Sequence, residues 1–587
     1  MRASVSEAVI TNSDAFHRWG GRVPILIGAA GHRYIDSRDT KLAEAVRDEC
    51  LRLRKRYTNS PFVVLSALAE GADRLVARVV MNELNAELIA VLPMPQKEFE
   101  QDFQTEASKA EFRALLGCAL FVKEAPVPEG DATWKVEGEP RNRQYARAGA
   151  IVADHAQVLF AIWDGKPVRG TGGTGDQVAW FQRGGTPNEY SPYMDVMSLL
   201  DLVEPGLLIR IDPVSREVTH THCPASDVGK RGEIRSPIRQ ILTRLDKYNR
   251  DVLFYKPGGT SLVPENRRKI DNLTVTNLTY RASDNLSLYY AQWVRHTDAT
   301  LYALALVAVA VFNFISNKVE APWIYLGITS VMAILAGRIW LNSIDNRFLE
   351  YRCIAEAART LFFWRIAGVK HPLWITFLSR QLGRIALLSG QLGPMHWVRQ
   401  AVRSMEFCQD CRLSNVSPTP GGLAIARTYW IDDQKTWLER RQLWHLRRYG
   451  FWNRVSQLAL AASFLTAIAL ALLTVIPAGH GSTLWKAWVK PNDYGDLWQA
   501  ALGVFAGGGV VARGFLARMS HLELAKQYAS QRFIFESASG VLDKIKNEPK
   551  PEWTAVDILE KLGREALHEQ AEWLWLRHTR PFEVPTA

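Results

Sequence analysis

Residues 23–33 read VPILIGAAGHR. The apolar run Val23–Gly28 is the pattern of a strand buried on both faces, and it ends in small residues followed by His32 and Arg33. The same grammar repeats downstream. Residues 39–54 have helical periodicity. PFVVL (61–65) predicts a second strand, ending in Ser66-Ala67-Leu68-Ala69-Glu70-Gly71-Ala72-Asp73-Arg74 and running on into a helix. AELIAVL (86–92) predicts a third strand that stops at Pro93-Met94-Pro95, and 118–122 a short fourth. After a long helix through 141–152, AQVLFAI (156–162) predicts a fifth strand ending at Trp163-Asp164-Gly165. A glycine-rich turn, Gly170-Thr171-Gly172-Gly173-Thr174-Gly175-Asp176-Gln177, opens the next helix, and LLIRI (207–211) reads as a sixth strand. Strands alternating with helices predict an α/β, Rossmann-like, doubly wound and mainly parallel sheet.

In such a sheet the loops after the strands gather along one edge, and ligands bind in the crevice there. That edge is predicted to hold Gly28, Gly31, His32 and Arg33, then Glu70, Gly71 and Asp73, then Pro93, and finally Asp164 with Gly172, Gly173, Thr174, Gly175 and Asp176. Glycines let backbone N–H groups approach a phosphate, and a helix N-terminus adds partial positive charge. Arg33 is placed to neutralise that phosphate. Glu70, Asp73 or Asp164 could accept hydrogen bonds from ribose hydroxyls. His32 is a candidate for ligand hydrogen bonding or, as the alternative, a general base. The first turn is not GxGxxG, and no GK[ST] follows the glycines. The plainer alternative is that each glycine only makes a tight turn.

The whole chain has 587 residues, so several domains are expected. Hydrophobic residues make up 47% and charged residues 22%, which excludes intrinsic disorder. The near-zero mean hydropathy conceals a division. Residues 1–297 contain no long uncharged run, whereas four apolar runs follow. They are ATLYALALVAVAVFNFI (299–315), APWIYLGITSVMAILAG (321–337), VSQLALAASFLTAIALALLTVIPAG (455–479) and LWQAALGVFAGGGVVA (497–512). About 20 apolar residues span a bilayer. The third run suffices outright, and the second and fourth need Arg338 and Arg513 to snorkel outward. Buried core helices are the alternative. Spans are predicted at about 299–315, 321–341, 455–477 and 497–517, in two hairpins.

The net charge of +11 favours anionic partners in general. Its distribution points to topology instead. Arginines crowd the ends of the runs away from the hairpin loops, which hold only Lys318, Lys486 and Lys490. The positive-inside rule therefore predicts both termini in the cytoplasm. Trp323, Trp485, Trp488 and Trp498 fall near the predicted outer ends, where indoles anchor. No direct nucleic-acid partner is expected. The N-terminus has no apolar signal region, so a cytosolic start is expected. The hairpins also look like a degenerate repeat, each ending in a charged, aromatic-rich helix.

Other motifs are weaker. Six cysteines are too few for a disulfide scaffold in this length. Cys408-Gln409-Asp410-Cys411 has CxxC spacing without a second pair, and His220, His222 and Cys223 are distant, so no metal is expected. Residues 374–397 predict an amphipathic interfacial or packing helix. The pairs Arg440-Arg441 and Arg447-Arg448 read as topology signals, with acidic lipid headgroups as an alternative partner.

The series GAAGHR (28–33), LSALAEGADRLVA (65–77), VLPMP (91–95), RNRQYARAG (141–149), AIWDGK (161–166) and GTGGTGDQVA (170–179) resembles the SLOG superfamily across about residues 20–215. That group includes the LOG cytokinin-activating phosphoribohydrolases and the nucleotide-sensing domain of TRPM channels. The resemblance implies a nucleotide-derived ligand, with an ADP-ribose derivative or a cyclic nucleotide as candidates, and no resident cofactor. It gives Arg141 and Arg143 the upstream arginine roles. The LOG pattern PGGxGTxxE is departed from, since the turn at 172–177 lacks the leading Pro and the Glu. The departure favours binding over turnover. If the protein is an enzyme, the catalytic candidates are Glu70, Asp176 and Arg143.

Residues 270–587 resemble the SLATT membrane effectors through the hairpins, Tyr351-Arg352-x-x-Ala355-Glu356-Ala357 with Trp364, Trp430-Ile431-Asp432-Asp433-Gln434, and WLWLRHTRP (573–581). This implies an antiphage effector that permeabilises the bacterial inner membrane, with a functional link to a messenger synthase. Four helices per chain are few for a pore, so a homo-oligomer is expected. The expected organisation is a nucleotide-binding domain (1–215), a helical linker (216–297), a first hairpin with a cytoplasmic helix (298–370), amphipathic helices (371–454), a second hairpin (455–519) and C-terminal helices (520–587). The leading expectation is a ligand-gated, membrane-permeabilising effector, and the alternative is a membrane-tethered nucleotide N-glycosidase. A transporter is disfavoured because the four runs lack acidic residues.

Overall fold

The computed structural model describes residues 13–36, 38–128, 130, 132–166, 170–187, 189–190, 206–223, 237–255, 258–264, 273–315, 320–342, 344–376, 396–413, 421–475, 495–547 and 553–578. The expected hairpin loops with Lys318, Trp485, Lys486, Trp488 and Lys490 lie outside the described residues. So do most of the expected helix at 374–397 and the end of the 573–581 segment.

Seven strands form one sheet in the order β4-β3-β2-β1-β5-β6-β7. They are β1 Ile25–Gly31, β2 Phe62–Ser66, β3 Glu87–Leu92, β4 Ala119–Glu124, β5 Val158–Ile162, β6 Gly206–Ile211 and β7 Val218–Cys223. All neighbours are parallel except β6 and β7. β1 lies at the centre, with Ile27 paired to Val64 on one side and to Val158 on the other. The continuous apolar runs follow from this position, because β2 and β5 are buried along their whole length.

Two sequence expectations change here. β1 runs on to Gly31 instead of stopping at Gly28. Gly28 is therefore mid-strand, and a Cβ there would meet Ala156, Leu159 and Val152 at 2.9 Å. It lets the helix Glu139–His155 pack on the sheet and does not sit in a loop. Second, the stretch expected to begin a helical linker forms β7, an antiparallel edge strand. Its alternating VTHTHC carries little apolar signal. The pairing is set by the turn before it, where the Asp212 side chain accepts the Val214 and Ser215 N–H groups at 2.9 Å.

The helices of this part are α1 Ser13–Trp19, α2 Thr40–Arg56, α3 Ala72–Leu84, α4 Gln96–Phe99, α5 Glu106–Gly117, α6 Glu139–His155 and α7 Thr174–Arg183. α3 packs on β1 and β2, α6 on β1 and β3, and α7 on β1, β5 and β6. Asp39 caps α2 by accepting the Leu42 N–H at 3.0 Å.

The sheet belongs to a compact unit made of residues 1–286, 350–423 and 559–575. Later helices complete its core. The Asn249 amide donates to Val23 O (2.9 Å) and accepts from Val23 N–H (2.8 Å). The Tyr351 hydroxyl donates to Asp251 (2.8 Å). Helix His396–Leu413 is buried over nearly its whole circumference. The region was expected to hold amphipathic helices. Here polar residues point inward because they have partners. The Gln157 amide reaches Ser404 Oγ at 2.9 Å, and Arg365 pairs with Glu406 and Asp410 at 2.6 Å each. Glu406 also accepts the Leu373 and Trp374 N–H groups. His155 is enclosed beside Phe407, and burial pushes its pKa down to about 3, so it is a neutral core histidine.

A second unit comprises residues 287–349, 424–558 and 576–587. Three helices among the described residues are long and apolar enough to cross a membrane: Thr274–Phe314, Gly422–Leu472 and Leu497–Lys546. The expected second span is also helical, over Ala321–Asn342, but is not one of those three. It packs on the first through Met332, Ile328 and Leu335 against Leu301 and Ala305. Large apolar side chains face outward, among them Leu458 (70% exposed) and Phe464 (67%). In water such a surface is an association liability, and against lipid it costs nothing. Arg518 pairs with Asp298 at 3.1 Å.

Candidate functional site

The strand order reverses between β1 and β5, since β1 leads on to β2 on one side and β5 to β6 on the other. Loops leaving adjacent strands in opposite directions open a crevice at this point. The loop after β1 begins at His32, whose N–H donates to Ile162 O at 3.1 Å. The loop after β5 carries Asp164. His32 Nε2 lies 3.2 Å from both the Asp164 N–H and Asp164 Oδ1. One nitrogen cannot serve both at once. With Nε2 bare it accepts from the amide, and with a hydrogen on Nε2 it donates to the carboxylate. The Lys166 N–H holds the Asp164 carboxyl below the usual range, with His32 adding to that effect. The structure therefore joins His32 and Asp164 across the switch point.

The β1 and β2 loops touch through Gly71. Its φ is +82°, and a Cβ would lie 2.4 Å from Arg33 O and 2.6 Å from His32 O. Only glycine fits this contact. The Ala72 N–H donates to His32 O at 3.2 Å, which fixes the start of α3 against the same loop. Gly31 is pressed between Ala72 and Ile162. Asp73, in the first turn of α3, is buried. Burial pushes its carboxyl up to about 7, against the pull of the Ala69 N–H and the Arg33 and Arg74 charges. Glu70 accepts a hydrogen bond from the Ser108 hydroxyl.

Arg33 is half-buried. Its Nη2 donates to the Tyr145 hydroxyl at 3.1 Å, and its guanidinium sits 5.5 Å from the centre of the Tyr145 ring. Burial opposes its charge, and Tyr145, Asp102 and Glu70 outweigh that, so its pKa stands above the ordinary arginine value. The Tyr145 hydroxyl donates in turn to Asp102 Oδ2. Asp102 is gripped by Arg141 through Nε (3.1 Å) and Nη2 (2.9 Å). Arg141 spends its remaining donors on the carbonyls of Trp134, Lys135 and Glu98. Arg141 therefore acts on the site through Asp102 and holds its guanidinium inside the fold. Arg143 is exposed and 3.7 Å from Glu139, outside this group. Pro93 is buried at the end of β3 and turns the chain toward α4.

The glycine-rich turn docks on α6. Gly172 has φ +81°, and a Cβ would lie 2.5 Å from Ala146 N. Asp176 folds back to accept the Gly172 N–H at 2.8 Å, so its carboxylate shapes the turn. Gly173 is the N-cap of α7, and Thr174 and Gly175 form the first helical turn, where backbone N–H groups lack intrahelical acceptors.

Two site residues escaped the sequence. Tyr145 lies one turn after Arg141 on α6, a spacing that placed them on one face, but nothing marked the tyrosine as functional. Asp102 had no local signal, because its partners lie about 40 residues away in sequence.

Among the described residues no group of three or more His, Cys, Asp and Glu side chains is placed to hold a metal ion. Cys408 and Cys411 are buried, and burial pushes the Cys411 thiol up to about 12. His220 of β7 pairs with Glu49 at 2.8 Å. The fold defines an α/β protein with a crevice at the strand ends, joined to helices apolar enough for a membrane. No protein-family model, curated protein or solved structure matches the chain.

Proposed function

We propose that this protein is a ligand-gated membrane effector of the SLOG–SLATT kind, in which a Rossmann-like domain senses a nucleotide-derived signal. The single observation that carries the reading is Arg33 with His32 at the switch-point crevice, Arg33 bonding to Tyr145 of α6 and the glycine-rich turn before α7 docking on the adjacent Ala146. A cation, a helix N-terminus and glycine-bared backbone suit a phosphate. Asp164 and Asp73 suit ribose hydroxyls. The apolar, outward-facing helices of the second unit support insertion, and we read them as four spans with both termini in the cytoplasm of a bacterium. Four spans per chain are few for a pore, so the active form is a homo-oligomer. The ligand must bind the active assembly more tightly than the resting one, since equal affinity shifts nothing.

The test uses the full chain in proteoliposomes. ADP-ribose and cyclic di-adenylate are added and dye release is followed. One of them triggers release, and Arg33→Ala or Gly173→Asp abolishes it while the protein stays inserted. Release that is unchanged in both variants sinks the sensor assignment.

One observation favours a second reading, a nucleotide N-glycosidase. Asp73 carries a carboxyl near neutrality beside Arg33, the property of a general acid. Incubation with NAD, nucleoside monophosphates and ADP-ribose separates the two. Turnover favours the enzyme, and stoichiometric binding without products favours the sensor.

A further inference from the structure

Arg33 and Arg141 are both arginines of the cleft region, and they are used in opposite ways. Arg141 is saturated: Nε, Nη1 and Nη2 all donate, to a carboxylate and three carbonyls. Arg33 donates through Nη2 alone among the described residues. Its other edge has hydrogen-bonding capacity for a ligand. The contact it does make is directional. Tyr145 accepts from Arg33 and donates to Asp102, and Asp102 is pinned by the forked Arg141. The tyrosine ring also lies beneath the Arg33 guanidinium. The ring is itself packed edge-on against Phe99, which contacts Phe103 and Phe112. An arginine side chain is flexible and loses rotamer entropy when a ligand fixes it. This chain of contacts removes that freedom beforehand.

We infer that Arg141, Asp102 and Tyr145 are positioning residues that hold Arg33 preorganised for the anionic group of the ligand. The inference rests on the nucleotide-sensing reading and adds three residues to it. Charges alternate along the relay: Arg33 cation, neutral Tyr145, Asp102 anion, Arg141 cation. Among the described residues the hydroxyl is the only hydrogen-bonded link between Arg33 and Asp102, so removing one oxygen atom breaks the hydrogen-bonded connection to the anchored pair. Tyr145→Phe keeps the ring, its stacking on Arg33 and its packing on Phe99.

The experiment is binding to the full chain in detergent, with ADP-ribose, ribose 5-phosphate and uncharged adenosine as probes. Tyr145→Phe is expected to weaken both phosphate-bearing probes about tenfold, the order expected for a hydrogen bond to a charged group. Adenosine binding should not move. Asp102→Asn should weaken the same two probes. The double variant Arg33→Ala/Tyr145→Phe should bind no more weakly than Arg33→Ala alone, because the tyrosine acts only through the arginine. A merely structural tyrosine would weaken adenosine equally, and that result overturns the inference. So does an additive double variant, or a Tyr145→Phe protein that binds like the parent while Arg33→Ala does not. If the parent protein binds none of the three probes, the nucleotide reading itself fails and this inference with it.

Discussion

The sharpest chemistry at the residue scale is in Asp73 and Gly71. Asp73 has a folded pKa of about 7 against an ordinary value near 3.8, so the folded state holds its proton more tightly than the unfolded chain does. The sign follows from linkage. This group's contribution to stability is fully present below about pH 4 and is lost as pH rises to about 7. Asp73→Asn should therefore flatten the fall in unfolding temperature between those limits, measured on the full chain in detergent. An unaltered slope would assign the pH dependence elsewhere. Gly71→Ala places a Cβ 2.4 Å from Arg33 O at a φ of +82°. The expected cost is about 1–3 kcal/mol, with loss of ligand affinity because the His32–Arg33 loop must shift. Denaturant titration and probe binding measure the two effects separately.

At the scale of elements, the central strands were plain in the sequence. Buried parallel strands have to be continuous apolar runs, and no other use of such short runs fits the alternation. Their ends were less plain. Gly28 looked like the start of a loop, yet the small residues Ala29, Ala30 and Gly31 continue the strand, because α3 and α6 approach it too closely for larger side chains. β7 was missed since an exposed edge strand needs no apolar alternation. In the second unit the telling contact joins two distant helices. Asp298 and Arg518 form a nearly buried ion pair at 3.1 Å. Neutralising one partner removes the attraction within a nearly buried pair, at a cost of up to about 3–5 kcal/mol. Asp298→Asn should lower the thermal midpoint in detergent by several degrees, and an unchanged midpoint would show the pair to be dispensable.

The whole molecule is two compact units built from interleaved segments, and the chain leaves and re-enters the first unit. That makes residues 559–575 part of the sheet-bearing unit. The Trp364 indole donates to Leu559 O at 2.9 Å, and Gly563 lies against the same ring. A chain truncated before Leu559 should lose protection of residues 350–376 in hydrogen exchange, although the sheet residues are all present. Retained protection would argue against the interleaving. For the membrane reading, single cysteines placed at 318 and 486 in a cysteine-free background should label from outside intact cells, and one placed at Arg143 should not. The opposite pattern would invert the topology.

Composition, apolar runs and the positions of glycine and arginine were enough to divide this chain into an α/β part and an apolar helical part. They also brought His32, Arg33, Asp73 and Asp164 to one edge of a sheet. Those properties are local, because strand burial, helix length and turn chemistry depend on residues a few positions apart. What the tertiary structure alone decided was which candidates act together. Gly28 is a packing residue, Asp176 shapes a turn, and Arg141 is locked to Asp102, while Arg33 donates to Tyr145 through Nη2. The roles of Arg141 and Arg33 rest on contacts between residues 39 and 112 positions apart, Arg141 with Asp102 and Arg33 with Tyr145. A hydrogen-bond partner at that separation is fixed by the packing of helices on the sheet and leaves no periodic trace in the chain.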